Sequence, residues 1–470
     1  MNSIRFANFQ VGMVDDPSVE HKGGFEYASG MDIFSEPGVI KASFALAEVT
    51  YGTGATPIDV PRWSDDKSDS TSRMYVVAGD KILESTNGTT FNLFLTNANG
   101  AILGMRIFDG YVYYASATKL GRAPVGNGAA KDDNFQTLDS DTEFHPMELQ
   151  AGGLKIGAGR YVANVAEGGT FTAQALKLPV GYRIKSLASH LLKLYAGTKF
   201  GTGLGATTFG DASVFDWNGI PLSSGSALPG TPYPIKMRAM HALLSDGGTL
   251  YGFPDSAKNL YFNDGVTFRQ LRQLQTRSIT LGEVEPGAVC QHLDTILWGG
   301  TYSLGGGVMQ MKSGAVCQAF VPSFLTPGGG GTVNIGFVRS AFNGQIYIGL
   351  YDGNTYHIEK TSSNRQNNAV IQTLWHKCKT ANTKRFAGVQ LHLKPLGNCE
   401  VTVHYRTERN GSWIAAPYVI DEDNQHSPLL FRAQPRDVEI QFKFTFTTST
   451  TTTPELIGYE PLFEVLSSTR

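Results

Sequence analysis

Glu143, Glu167, Glu283, Glu285 and Glu359 are the side chains best suited to acid–base chemistry in this chain. Cleaving a glycosidic bond needs two carboxylates set across it, one with a raised pKa. None of the five lies in a distinctive motif, and each reads first as a solvated surface carboxylate. Acidic clusters at 65–69 (DDKSD), 139–143 (DSDTE) and 421–424 (DEDN) offer oxygens to calcium, which takes about six to eight of them. All three lack the D-x-D-x-D-G spacing with its distal Glu, so solvated loops are expected. His376, His392 and His404 fall on expected strands without an HExxH motif. Cys290, Cys317, Cys378 and Cys399 form no CxxC pair and read as reduced, buried thiols. The glycine runs at 201–205 (GTGLG) and 328–331 lack the frame of a phosphate cradle and read as loops. The sequence therefore assigns no catalytic, cofactor-binding or metal residue, and no enzyme activity.

Two groups remain as interaction candidates. Arg269, Arg272 and Arg277 lie close together in TFRQLRQLQTRS and suit an acidic partner, although a solvated strand face is the simpler reading. Trp63, Trp217 and Trp413 stand near turns, where an indole stacks on a sugar or covers the edge of a core.

The elements that carry these residues are strands. Only 17% of the residues are charged, and the 54 glycines and 21 prolines are spread along all 470 positions, which implies many turns between short elements. Basic and acidic side chains number 39 and 41, for a net charge of −2. That balance calls for neither sequence-specific nucleic-acid binding nor membrane insertion. The N-terminal MNSIRFANFQVGMVDD lacks the apolar run of a secretory signal, so synthesis in a cytoplasm without export by that route is expected.

Seven stretches share one plan: an alternating apolar run, a small residue or turn, and a second alternating run. They begin at Arg73, Gly110, Gly159, Leu192, Gly248, Asp294 and Gln345. Asn87-Gly88, Asp264-Gly265 and Asp352-Gly353 supply the positive φ that tight hairpins need. Two of the turns, 85–91 (STNGTTF) and 262–268 (FNDGVTF), look like degenerate Asp boxes of sialidase-type propellers, with Phe in place of Trp. Hairpin turns capped by an aromatic are the simpler reading. A hairpin cannot bury its face alone, so the units must stack or be arranged radially. Residues 71–366 divide into six or seven units of about 49 or 42 residues, within the range of propeller blades. The last hairpin, Gln345–Thr361, crowds Tyr347, Tyr351, Tyr356 and His357 near Asp352-Gly353, but its siblings lack this polar set, which argues for architecture over a site.

The expected fold is all-β: a six- or seven-bladed β-propeller at 71–366, preceded by an N-terminal arm and strand at 1–70 and followed by a jelly-roll-like β-sandwich at 367–470. Separate β-sandwiches are the rival architecture. The C-terminal strands are longer and strictly alternating; in DVEIQFKFTF, Val438, Ile440, Phe442, Phe444 and Phe446 share one face.

The stretches IQTLWHK, KRFAGVQLHLKPLGNCEVTVHYRTERNGSW and RDVEIQFKFTFTTSTTTTPELIGYEPLFEV resemble the C-terminal sandwich of structural tail proteins of tailed double-stranded DNA bacteriophages. GMDIFSEPGVIKAS near the N-terminus is similar to the openings of such proteins. The resemblance covers about a quarter of the chain and brings no catalytic residue. It implies a virion component of the tail, a short-tail nozzle or minor tail protein. Such a protein assembles as a ring homo-oligomer, a hexamer by analogy, touches adaptor or fibre proteins, and helps form the conduit for DNA ejection. A carbohydrate-binding or glycoside-processing propeller is the alternative, as a receptor-binding tail tip or a free enzyme. A non-viral scaffold for protein partners is the third reading.

Overall fold

The computed structural model describes residues 2–7, 9–14, 24–67, 72–201, 211–254, 259–274, 283–302, 305–329, 331, 333–378 and 382–466. Among these, the regular elements are strands and three single turns of 3-10 helix. Period-2 alternation of Val, Ile, Leu and Tyr produces this, because each strand must bury one face against a neighbouring sheet.

Six sheets of four or five strands stand free, as the blades of a β-propeller: 61–96, 104–137, 147–177, 182–234, 240–273 and 334–365. Within each of these spans, antiparallel strands follow one another outward in sequence order, and the first and last sheets each gain an outermost strand from the N-terminal segment. The gap between 273 and 334 is filled by Val289–His292, Thr295–Tyr302, Gly305–Lys312 and Ala315–Phe320, which keep the same order and open a ten-stranded sheet. Counted around the ring there are thus seven places, six of them free-standing blades. First strands of neighbouring blades touch in sequence, and Asn334–Ser340 returns to touch Pro61–Lys67, closing the circle. Each of the seven sequence hairpins falls in its own place.

Numbering blades by their place in the ring, the seam between blade 7 (334–365) and blade 1 (61–96) is closed by a short N-terminal stretch. Phe44–Glu48 adds antiparallel to Tyr356–Arg365, with Glu48 opposite Glu359 and Leu46 opposite Thr361. Two residues later, Thr50–Tyr51 adds parallel to the outermost strand of blade 1. The Tyr51 hydroxyl accepts the Ile358 N–H at 2.7 Å, tying the two blades together. Ring closure therefore rests on one continuous backbone segment, with only Val49 between the two strands, that pairs with both edges.

Residues 1–70, expected as an arm and strand, are distributed across four sheets. Gly24–Ser29 lies in the ten-stranded sheet, between Ala315–Phe320 of place 6 and Ala369–Thr373. Met31–Asp32 and Ile40–Ala42 join the eight-stranded sheet built on Lys384–Leu393 and Glu455–Val465. Pro61–Lys67, before the expected boundary at 70, is the innermost strand of blade 1. The physical reason is shared: short strands with open edges are stable only where a ladder already exists.

The eight-stranded sheet and the distal strands of the ten-stranded sheet face each other through aromatic side chains. Tyr459 meets Phe442 and Phe444 edge-on at 6.2 and 5.2 Å, and the Phe6 ring lies tilted against His376 at 4.2 Å. Ile440, Phe442, Phe444 and Phe446 are fully buried on one face, as their alternation requires. One apolar cluster runs from Phe253 and Trp298 in the ring to Phe444 and Tyr459 at the C-terminus, so ring and flanking sheets share a core. No helix among the described residues is long and apolar enough to cross a membrane.

Candidate functional site

The first strands of all seven places surround the ring axis and enclose a pocket of about 400 Å³, with Ser64, Arg106, Glu148, Ser189, Leu244, Cys290 and Arg339 on its wall. That volume suits a small ligand. Its charged groups form a network across the ring seam. Arg339 donates to Asp66 from Nε at 2.7 Å and to Asp65 from a terminal nitrogen at 2.8 Å. Burial works against the Arg339 charge, but the two aspartates outweigh it and hold the guanidinium firmly cationic. Asp65 also accepts the Ile107 N–H at 2.8 Å and lies 3.6 Å from Arg106 Nε, joining blade 1 to blade 2. Glu148 completes the set from blade 3. Burial raises its pKa, Arg106 opposes that rise, and Asp65 adds to it. Cys290 is pushed up to about 12 by burial and stays a thiol.

The glutamates singled out by sequence do not enter this pocket's wall. Glu143 pairs with the buried Lys185 and lies 3.7 Å from Lys199. Glu167 sits in the turn between the outer strands of blade 3. Glu283 approaches His241 at 3.4 Å, and Glu285 approaches Arg62 at 3.7 Å. Glu359 accepts Ser323 N–H and O–H donors, the latter at 2.5 Å. The acidic clusters resolve into structural pairings. Asp65 and Asp66 hold Arg339, whereas Asp69 lies outside the described residues. Asp141 caps Glu143 N–H at 2.9 Å, and Asp421 accepts the Asp423 and Asn424 N–H groups. No group of three or more His, Cys, Asp and Glu suited to a metal occurs among the described residues.

His376 meets the Tyr459 hydroxyl at 2.9 Å, His392 meets Glu460 at 2.9 Å, and His404 lies opposite Lys443 on a partly exposed sheet face. Arg269 pairs with Asp264 at 2.6 Å and Arg272 Nε donates to Gly314 O at 2.9 Å; Arg277 lies outside the described residues. Trp63 and Trp217 are core residues, and Trp413 is partly exposed beneath Arg406 (4.4 Å) and Lys443 (5.3 Å). Both Asp-box-like turns are hairpins: Asn87 accepts Thr89 and Thr90 N–H, Asp264 accepts Val266 and Thr267 N–H, and Phe91 and Phe268 are buried. The four cysteines are free and buried. Of the run at 201–205 only Gly201 is described, and Gly330 within 328–331 falls outside.

The polar set of the last hairpin is a latch. His357 Nδ1 meets Glu48 at 2.9 Å, its Nε2 lies 3.3 Å from Asp352, and Phe324 stacks at 5.9 Å. Glu48 belongs to the closing strand, so the histidine fastens the seam.

A second feature escaped the sequence reading. Antiparallel order places the first-to-second and third-to-fourth turns of a blade at one end. On blade 4 that end carries Leu191, Leu192, Ile220, Leu222 and Leu228, with Leu192 90% exposed and Leu228 77% exposed. Gln150 fixes the two loops together, donating to Leu192 O at 2.8 Å and Asn218 O at 3.1 Å. Leu191 and Leu192 both have positive φ, 45° and 66°. Such a conformation costs about 1–2 kcal/mol per residue outside glycine.

No family model and no curated protein matches the chain. Solved structures do. The extracellular domain of a one-component system from B. thetaiotaomicron has 14% identity and a TM-score of 0.48, over 83% of this chain and 47% of that one. The chain therefore spans about half the length of that protein. YCF48 bound to D1 peptide has 10% identity and a TM-score of 0.45, over 75% of this chain and 97% of that one. A luciferin-regenerating enzyme has 12% identity and a TM-score of 0.35, over 56% of this chain and 91% of that one. At these levels of likeness they assign no function here.

Proposed function

We propose that the chain is a structural component of a bacteriophage virion tail, working by assembly with copies of itself and with neighbouring tail proteins. The observation that carries the assembly reading is the aliphatic cluster on blade 4, where five large side chains stand in water on one edge of the disc. Soluble proteins keep such patches small, and larger ones mark contact surfaces. Leucine at two consecutive left-handed positions adds weight, because a glycine or asparagine there would be less strained and more soluble. The shared core of ring and flanking sheets fits a part that transmits load. We read those flanking sheets as a jelly-roll-like β-sandwich, wrapped by the N-terminal strands. The phage setting comes from the resemblance of 371–377, 384–413, 436–465 and 30–43 to tail proteins, and the ring order and DNA conduit are carried over with it.

A carbohydrate-binding propeller is the second reading, favoured by the ligand-sized axial pocket. Mass spectrometry of purified phage particles from the genome that carries this chain separates the two. The tail reading expects the chain at a fixed copy number per particle. Its absence from particles, together with its presence free in the lysate, defeats that reading.

A further inference from the structure

The axial pocket holds one cation that the assembly reading leaves unused. The charged groups on its wall are Arg106 and Arg339 against Glu148 alone. Arg339 is committed to Asp65 and Asp66, which hold it from outside the lining. Arg106 is not: it donates no hydrogen bond among the described residues, its Nε is buried without a partner, and the approaching carboxylate of Asp65 stands 3.6 Å from that nitrogen. A guanidinium offers five N–H donors in a planar fork, and leaving them unfilled away from bulk water is costly. The Arg106 side chain is 25% exposed, so a ligand in the pocket can reach the rest of the fork. Glu148 does not fill it; the two charges feel each other, but the Glu148 carboxylate takes the Leu149 N–H instead. Ser64 and Ser189 add half-buried hydroxyls to the same wall, and Leu187 and Leu244 line it with carbon.

We propose that the axial pocket binds a small carboxylate bearing hydroxyl groups, of the size of a sugar acid, with Arg106 as its anchor. The carboxylate takes N–H donors from the Arg106 fork, hydroxyls meet Ser64 and Ser189, and the carbon skeleton rests on Leu187 and Leu244. This stands apart from the assembly reading and gives the carbohydrate reading a ligand class. Glu148 is the wall group that opposes an anion. Facing it are Arg106 from blade 2, Asp65 from blade 1 and Arg339 from blade 7. His190 and His292, which meet the wall residues Ser245 and Ser340, are held below 6.5 by burial. Burial raises the Glu148 pKa, so falling pH neutralises Glu148 before the ligand carboxylate protonates, and affinity climbs.

Calorimetric titration of the full chain with glucuronate, glucose and glucosamine is the test. Saturable binding of glucuronate, tighter at pH 5.5 than at pH 8, with none of glucose or glucosamine, is the expected pattern. Arg106→Gln should weaken glucuronate binding roughly tenfold or more, the loss of a charge-assisted fork, and Arg106→Lys should recover part of it. If Arg106→Gln does not fold, Glu148→Gln decides. With the opposing charge gone, its binding at pH 8 should match that of the native chain at pH 5.5, which titration of the histidines would not produce. Absence of saturable glucuronate binding, binding of glucosamine in its place, undiminished binding by Arg106→Gln, or a pH dependence left intact by Glu148→Gln overturns the proposal. Equal binding of glucose also overturns it and leaves a neutral-sugar pocket. None of these outcomes touches the assembly reading, which concerns blade 4.

Discussion

At the residue scale, His357 shows how a polar set that looks catalytic can be mechanical. Its ring spans the closing strand and the hairpin turn, touching Glu48 and Asp352. Burial alone would lower its pKa, but hydrogen bonds to Glu48 and Asp352 dominate and raise it above 6.5. Asp352 is held at about 2, chiefly by the Thr355 N–H, with Asn354 N–H and His357 adding to it. A histidine raised on folding stabilises fully below its unfolded value and loses that contribution as pH climbs through the folded value. Asp352, depressed on folding, stabilises above its unfolded value and loses its contribution only as pH falls toward 2. The latch is therefore strongest from about pH 4 to 6.5. Thermal unfolding of His357→Gln should show a lower midpoint than the native chain at pH 6, with the difference shrinking by pH 9; an equal difference at both would remove the charge from the explanation. The sequence showed this set as Tyr, Asp, His and Glu about a turn, yet it could not show Glu48, 309 positions away, as the partner. Glu148 was equally hidden. A single charge in the apolar strand before a hairpin, as in GMRIF, MELQ and FVRS, is the signal that marks the axial groups, and it is legible only once that strand is recognised as the innermost one.

At the scale of elements, the hairpins were legible because alternation and Asn-Gly or Asp-Gly turns are local. Their irregular spacing has a local cause. The stretch at Gly159 opens on the third strand of blade 3, whereas its siblings open on second strands. Counted from Gly153, the second strand, the steps from Gly110 and to Leu192 become 43 and 39 in place of 49 and 33. Strand exchange was less legible, because pairing of Phe44–Glu48 with Tyr356–Arg365 depends on proximity that only the closed ring creates. The closing strand is the place where truncating one side chain tells. Leu46 is buried against the main core, and Leu46→Ala should cost about 2–5 kcal/mol in denaturant unfolding. A loss below about 0.5 kcal/mol, that of an ordinary surface substitution, would mean the strand contributes little. Gly104 on the inner strand of blade 2 is a second test, since a Cβ there runs into the His145 carbonyl oxygen. Gly104→Ala should lower the unfolding midpoint although alanine is the better residue for an ordinary strand interior.

At the scale of the molecule, a ring closed by one N-terminal stretch and fused through Gly24–Ser29 to its flanking sheets has few independent parts. The sequence placed a boundary near residue 366; the last blade's strand Tyr356–Arg365 ends just before it, and Ala369–Thr373 pairs with Gly24–Ser29 in the ten-stranded sheet. The shared core was not foreseen, because a sequence shows which faces are apolar without showing which two faces meet. Assembly is the central claim, and the blade 4 cluster is where it is exposed to test. Replacing Leu191 and Leu192 with serine should leave unfolding unchanged or slightly improved, since the two side chains touch little within the chain, while reducing self-association. Sedimentation velocity of the purified chain over a range of concentrations measures this most directly. The account predicts a discrete species several times the mass of one chain, shifted toward monomer by the double serine variant. A single monomeric boundary at every concentration, identical in the variant and in the presence of partner tail proteins, would contradict it.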